Sequence, residues 1–98
     1  MKSIYTTEVF DAWFDALHDK QTARRIQARI DRVEDGNFGD HKSVGHGVSE
    51  LRIHHGPGYR VYFTQRGPKI VILLAGGDKS SQTKDIDTAH ELARQLKE

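Results

Sequence analysis

Arg52 and His54 stand two residues apart in Leu51-Arg52-Ile53-His54-His55, and Arg60 and Tyr62 repeat that spacing in Tyr59-Arg60-Val61-Tyr62. A spacing of two puts both members of a pair on one face of a β-strand. A guanidinium is permanently charged and matches phosphate oxygens two at a time, and a histidine titrating near neutrality can accept or donate a proton. Together they suit work on a phosphodiester. Arginines alternating on a half-exposed strand are also ordinary solvated positions, and periodicity alone does not separate the two readings.

A second candidate lies in Gly76-Gly77-Asp78-Lys79-Ser80-Ser81-Gln82, ahead of the last helical pattern. Free N–H groups at a helix start, with the positive end of its dipole, favour a bound phosphate. The same residues also read as a serine N-cap after a tight strand exit. The upstream glycine of a Walker loop is missing. Six histidines include His54-His55 and the nearby His41 and His46, but neither pair has the helical i, i+4 spacing of a metalloprotease. The chain has no cysteine, which excludes disulfides, thiolate catalysis and the usual zinc frameworks. No metal and no cofactor is expected.

The elements that must carry these residues follow from periodicity. Ser3 to Thr6 reads as a short strand. Phe10, Trp13, Phe14 and Leu17 then form the stripe of a helix over Thr7 to His18. Asp19 is placed to cap a second helix, with Ala23, Ile26, Ile30 and Val33 inward and Gly36 at its end. The other face of that helix, Arg24, Arg25, Arg29 and Arg32 mixed with Asp31 and Glu34, reads as solvated. Gly36 to Gly47 is glycine-rich and predicts a loop.

Three strands follow, Val48 to His54, Tyr59 to Gln65 and Lys69 to Ala75, with turns at Gly56-Pro57-Gly58 and Arg66-Gly67-Pro68. Leu51, Ile53, Val61 and Phe63 point to the core, and Arg52, His54, Arg60 and Tyr62 to an open basic face. Pairing His54 with Arg60 would set Arg52 against Tyr62 and Leu51 against Phe63. The run Ile70 to Ala75 does not alternate, which predicts a central strand beside the amino-terminal one. A last helix buries Ile86, Ala89, Leu92, Ala93 and Leu96. The expectation is one α+β domain over residues 1–98, in the order β-α-α-β-β-β-α, with its helices on one face of the sheet.

Hydrophobic residues are 36% and charged ones 30% of the chain, which allows a modest core under a charged surface. Net charge is +1, split as six Lys/Arg against eight Asp/Glu up to residue 40 and nine against six after it. That tilt is a weak pointer to an anionic ligand. The start of the chain lacks the apolar stretch of a signal peptide, and no apolar run reaches the ~20 residues of a membrane span, so a cytoplasmic protein without membrane partners is expected.

Glu50-Leu51-Arg52, Gly58-Tyr59-Arg60-Val61-Tyr62-Phe63, the apolar Ile70 to Leu74, and Gly77-x-Lys79-x-x-Gln82-x-x-Asp85-Ile86-x-x-Ala89 occur in this order. That combination resembles the phage-derived Gp49-like, HigB-type branch of the RelE/ParE toxin superfamily. The resemblance implies a RelE-like fold and an endoribonuclease that cuts mRNA in the ribosomal decoding site. The RNA's own 2′-OH would attack the adjacent phosphate, leaving a 2′,3′-cyclic phosphate and a free 5′-OH, with no metal needed. Arg60 would hold the transition-state phosphate, with Arg52 beside it and Lys79 as a further cation. His54 is the nominee for base or acid, with Glu50 a weaker choice. Tyr62, Ser80, Gln82 and Lys84 would join Arg52, Arg60 and Lys79 in holding RNA. The implied partners are the ribosome, mRNA, and a small helix-turn-helix antitoxin that covers the active site and carries the pair to operator DNA. A ParE-like toxin that poisons DNA gyrase, or a non-catalytic binding module, shares the fold and is the alternative.

Overall fold

The computed structural model describes residues 1–96. The first strand, β1 (Ser3–Thr6), passes into helix α1 (Glu8–Asp15) through Thr7. The Thr7 hydroxyl accepts the Phe10 N–H at 3.1 Å and donates to the Leu74 carbonyl at 2.6 Å. One side chain thus caps the helix and fastens it to the sheet. Asp19 caps α2 (Lys20–Glu34) as the sequence predicts, accepting from Gln21 N–H at 3.0 Å and Thr22 Oγ at 2.8 Å.

The remaining elements are β2 (His41–Gly45), β3 (Val48–Ile53), β4 (Tyr59–Arg66), β5 (Ile70–Asp78) and α3 (Gln82–Leu96), with a 3-10 turn at Lys79–Ser81. The five strands form one mixed sheet in the order β1-β5-β4-β3-β2. The expected loop from Gly36 to Gly47 therefore contains an extra strand. β2 is an edge strand with only Val44 turned inward, so it lacks the apolar alternation that marks a strand in sequence. Gly45, His46 and Gly47 all take positive φ to make the hairpin into β3, a conformation glycine adopts freely.

β5 lies between parallel β1 and antiparallel β4, the central position its unbroken apolar run predicts. The expectation that every helix packs on one face is overturned. Phe10 of α1 and Ile26, Ile30 and Val33 of α2 meet Leu51, Ile53, Val61, Phe63, Val71 and Leu73 on one side of the sheet. On the other side Ala89 and Ala93 of α3 meet Val48, Tyr62, Leu74 and Ala75. Alternation sends Val48, Tyr62 and Leu74 to the side away from Leu51, Val61 and Leu73, and a bulge, with Tyr62 paired to Ala75 and Phe63 to Leu73, sets Ala75 there beside Leu74. Leaving Val48, Tyr62 and Leu74 in water would cost ~1.5–3 kcal/mol each, and α3 folds back to cover them.

The β3–β4 register also differs from the expected one. Arg52 lies opposite Arg60 and Leu51 opposite Val61, a slip of two residues. A slip of two keeps every side chain on its predicted face and changes only its partner. The turn is longer than Gly56-Pro57-Gly58 alone: His55 N–H bonds Ile53 and Gly58 N–H bonds His55, which takes His54 out of the strand.

Candidate functional site

The reset register brings the two arginines together. Arg52 Nε donates to Glu50 Oε2 at 2.8 Å, and Arg60 Nε lies 3.4 Å from the same oxygen. Glu50 is 1% exposed, and its other oxygen accepts from Gln82 Nε2 at 3.3 Å. A buried carboxylate needs such partners, because desolvation of an unpaired charge costs several kcal/mol. Glu50 therefore acts as the common anchor of both guanidiniums, a role distinct from the proton transfer considered for it from sequence. Its hydrogen bond is the main reason the Arg52 guanidinium is held above its ordinary pKa.

The arginine pair opens onto a cleft of about 390 Å³ whose walls include Arg52, His54, His55, Tyr59, Arg60 and Lys79. Lys79 is exposed, and its backbone N–H donates to the Gly58 carbonyl at 2.8 Å, which ties the start of the 3-10 turn to the loop between β3 and β4. His54 Nε2 donates to Asp40 Oδ2 at 2.6 Å. That bond is the chief cause holding the Asp40 carboxyl below its usual range, so Asp40 is ionised at neutral pH. With Nε2 carrying the proton, Nδ1 of neutral His54 is left as a free acceptor. His55 stacks on Tyr59, and its Nε2 lies 4.0 Å from Asp19 Oδ2.

Asp40 is itself placed by Arg29. The guanidinium of Arg29 donates to the carbonyls of Phe38 and Asp40 at 3.0 Å each, and to that of Arg52. Arg29 is thus a partly buried brace between α2, the β2 approach and β3, not a member of a solvated arginine face. Burial lowers its pKa from the usual arginine value. The spacing does single it out, since Arg29 stands three residues after Ile26 and four before Val33, beside the buried stripe, whereas Arg24, Arg25 and Arg32 lie farther round the helix.

Several predicted site residues lie elsewhere. Tyr62 was expected on an open face beside Arg52 and Arg60, yet it is fully buried beneath α3, and its hydroxyl has no hydrogen-bond partner. Burial above all, then the Glu50 and Asp85 charges, pushes its phenol up to about 12. Ser80 does not offer a free anion site, because Asp78 Oδ1 already accepts its N–H at 2.9 Å and its hydroxyl at 2.5 Å. A carboxylate thereby occupies the place where a phosphate was considered. Gln82 points to Glu50, and Lys84 is exposed on α3 away from the cleft lining.

The two glycines before the helix also have a packing role. A Cβ on Gly76 would fall on the Trp13 ring, and one on Gly77 would strike the Asp85 carboxylate and Ser81 hydroxyl. Both lie in β5 without positive φ, so close approach of α1 and α3 accounts for them. Among the described residues no group of three or more His, Cys, Asp or Glu is arranged to hold a metal ion, and no helix is long and apolar enough to cross a membrane.

An α+β protein with a carboxylate-anchored arginine pair at the mouth of a basic cleft is the class these observations define. The chain belongs to the family described as phage derived protein Gp49-like (DUF891), a RelE/HigB-type toxin family, whose profile matches residues 12–98. A protein of Haemophilus influenzae (strain Rd), described as uncharacterized, is 52% identical to it over 93 residues, covering 95% of this chain and 94% of that one.

Proposed function

We propose that this protein is the toxin of a toxin–antitoxin pair, with a RelE-like fold, and that it cuts mRNA on the ribosome. The observation that carries the reading is the Arg52–Arg60 pair, held side by side on Glu50 at a cleft bordered by Lys79 and His54. RNA cleavage of this kind needs little from the protein beyond charge stabilisation and proton transfer. The 2′-oxygen forms a bond to phosphorus and the P–O5′ bond breaks. The proton of the 2′-OH goes to a base, and the leaving 5′-oxygen takes a proton from an acid.

In this assignment Arg60 and Arg52 stabilise the charge gathering on the phosphate oxygens, and Lys79 neutralises the adjoining backbone. His54, oriented by ionised Asp40, takes the 2′-OH proton at Nδ1. The RNA contacts expected of Tyr62 and Ser80 are dropped, because Tyr62 is covered by α3 and Ser80 is occupied by Asp78. Gln82 serves by fixing Glu50.

A cell-free bacterial translation reaction with a reporter mRNA tests the reading, with 5′ ends mapped by primer extension. Cleavage ends that require both ribosomes and Arg60 are expected, together with loss of those ends in an Arg60→Ala variant whose circular dichroism is unchanged. Intact mRNA with normal translation would sink the proposal, and DNA breaks made with purified gyrase instead would assign the fold to a gyrase poison.

A further inference from the structure

In sequence the arginines of α2 are mixed with Asp31 and Glu34, but the fold separates the two charges. Asp31 and Glu34 line a small groove beside β1, where Gln27 Nε2 donates to Asp31 Oδ1 at 2.9 Å. Arg25, Arg29 and Arg32 line a different groove, of about 310 Å³, whose other wall is Ile53 and His54. No carboxylate among the described residues lines it. Arg29 gives its terminal donors to backbone carbonyls. Arg25 and Arg32 are exposed and stand in no ion pair among the described residues. They lie two helical turns apart, about 10 Å along the axis and on one line of the helix.

Ile53 and His54 also line the cleft that holds Arg52 and Arg60, so the two depressions meet at the end of β3. His54, its side chain 79% exposed, stands at the junction. Within the cleft the strand order β5-β4-β3 puts Lys79 on one flank of Arg60 and His54 on the other. The chemistry of the cleft gives this path a direction. A base that takes the 2′-OH proton stands beside the nucleotide on the 5′ side of the scissile phosphate. The 5′-oxygen leaves on the opposite side, because attacking and leaving oxygens lie in line.

We propose that the α2 groove holds the RNA strand on the 5′ side of the cut, with Arg25 and Arg32 on two of its backbone phosphates beyond His54. Its polarity rests on the cleavage assigned to the cleft above. Guanidiniums match phosphate oxygens two at a time. Continuity with the cleft selects a nucleic acid strand over an acidic protein segment, since a strand seated on Arg52 and Arg60 must leave past one flank or the other.

The probes are 2′-O-methyl-uridine oligonucleotides, which lack the attacking hydroxyl, two or six nucleotides long and phosphorylated at the 3′ or the 5′ end. A 3′-terminal phosphate imitates the end of the upstream product, so it seats on Arg52 and Arg60 and sends the chain toward α2. In fluorescence anisotropy the longer 3′-phosphate probe should bind about tenfold more tightly than the shorter one, with a salt slope steeper by about 1.4. An Arg25→Gln/Arg32→Gln variant with unchanged thermal melting should lose both gains, and the 5′-phosphate series should not distinguish it from wild type. Arg60→Ala reads the cleft separately: if it fails to weaken the short 3′-phosphate probe, cleavage at the arginines is refuted whatever α2 does. The groove proposal is overturned by an equal gain in the double variant or by a loss shared between both series. A six-residue glutamate peptide that binds through Arg25 and Arg32 more tightly than the six-nucleotide probe would also overturn it and assign the groove to a protein.

Discussion

Glu50 concentrates the energetic consequences of the site in one side chain. Removing the carboxylate leaves Arg60, whose side chain is 15% exposed, without its counter-charge. Glu50→Ala is expected to lower unfolding free energy by about 3 kcal/mol, read from urea denaturation, and to reduce cleavage. Tyr62→Phe should do the opposite of what a functional hydroxyl would show. Its hydroxyl is buried and unpartnered, so the variant should cleave normally and be as stable or slightly more so. The same phenol sets an alkaline limit. It stays neutral to about 12 in the fold but titrates near 10 once unfolded, so its contribution is whole below about pH 10 and lost as pH rises toward 12. Alkaline denaturation of wild type against Tyr62→Phe measures this. The shared face of Arg52 and Arg60 was legible because strand alternation survives in sequence, and Lys79 stood out as the cation at the exit of the last strand. Asp40 was not, and for Arg29 only its place beside Ile26 and Val33 could be read, since both act through contacts across 14 and 23 residues of chain, His54 for the first and the Arg52 carbonyl for the second.

The strands and helices were more legible than their partners. Each predicted helix exists, and the inward stripes of α2 and α3 are where periodicity puts them, because a buried stripe repeats every three or four residues whatever it packs on. Periodicity says nothing about which side of a sheet receives the stripe. That depends on Val48, Tyr62 and Leu74 sharing the second face, a match made across three strands that no single one announces. β2 escaped notice for a related reason, as an edge strand whose outward residues are His41, Lys42 and Ser43. The glycines of β5 give the test at this scale. Gly76→Ala and Gly77→Ala each force a methyl into α1 or α3 and should cost about 2–3 kcal/mol, with thermal melting as the readout. Were Gly77 instead a phosphate cradle, its alanine variant would melt normally and lose only RNA affinity.

For the whole molecule the net charge of +1 is a poor guide to its behaviour, because the cations that matter are gathered at one place. If Arg52, Arg60 and Lys79 each neutralise one phosphate of a single strand, the logarithm of affinity should fall with the logarithm of salt at a slope of about −2. Lys79→Gln should make that slope shallower by about 0.7 in fluorescence anisotropy with a short RNA. The strand order has a further consequence. The cleft is built on β3 and β4, and β5 separates β4 from β1. β1 runs beside the first half of β5, to Leu73, whereas Arg60 is paired with Gly77 near its far end. At roughly 4.8 Å between strands and 3.3 Å per residue along them, the outer edge lies well over 10 Å from the arginines. A change confined to that outer edge therefore leaves the arginine cleft untouched.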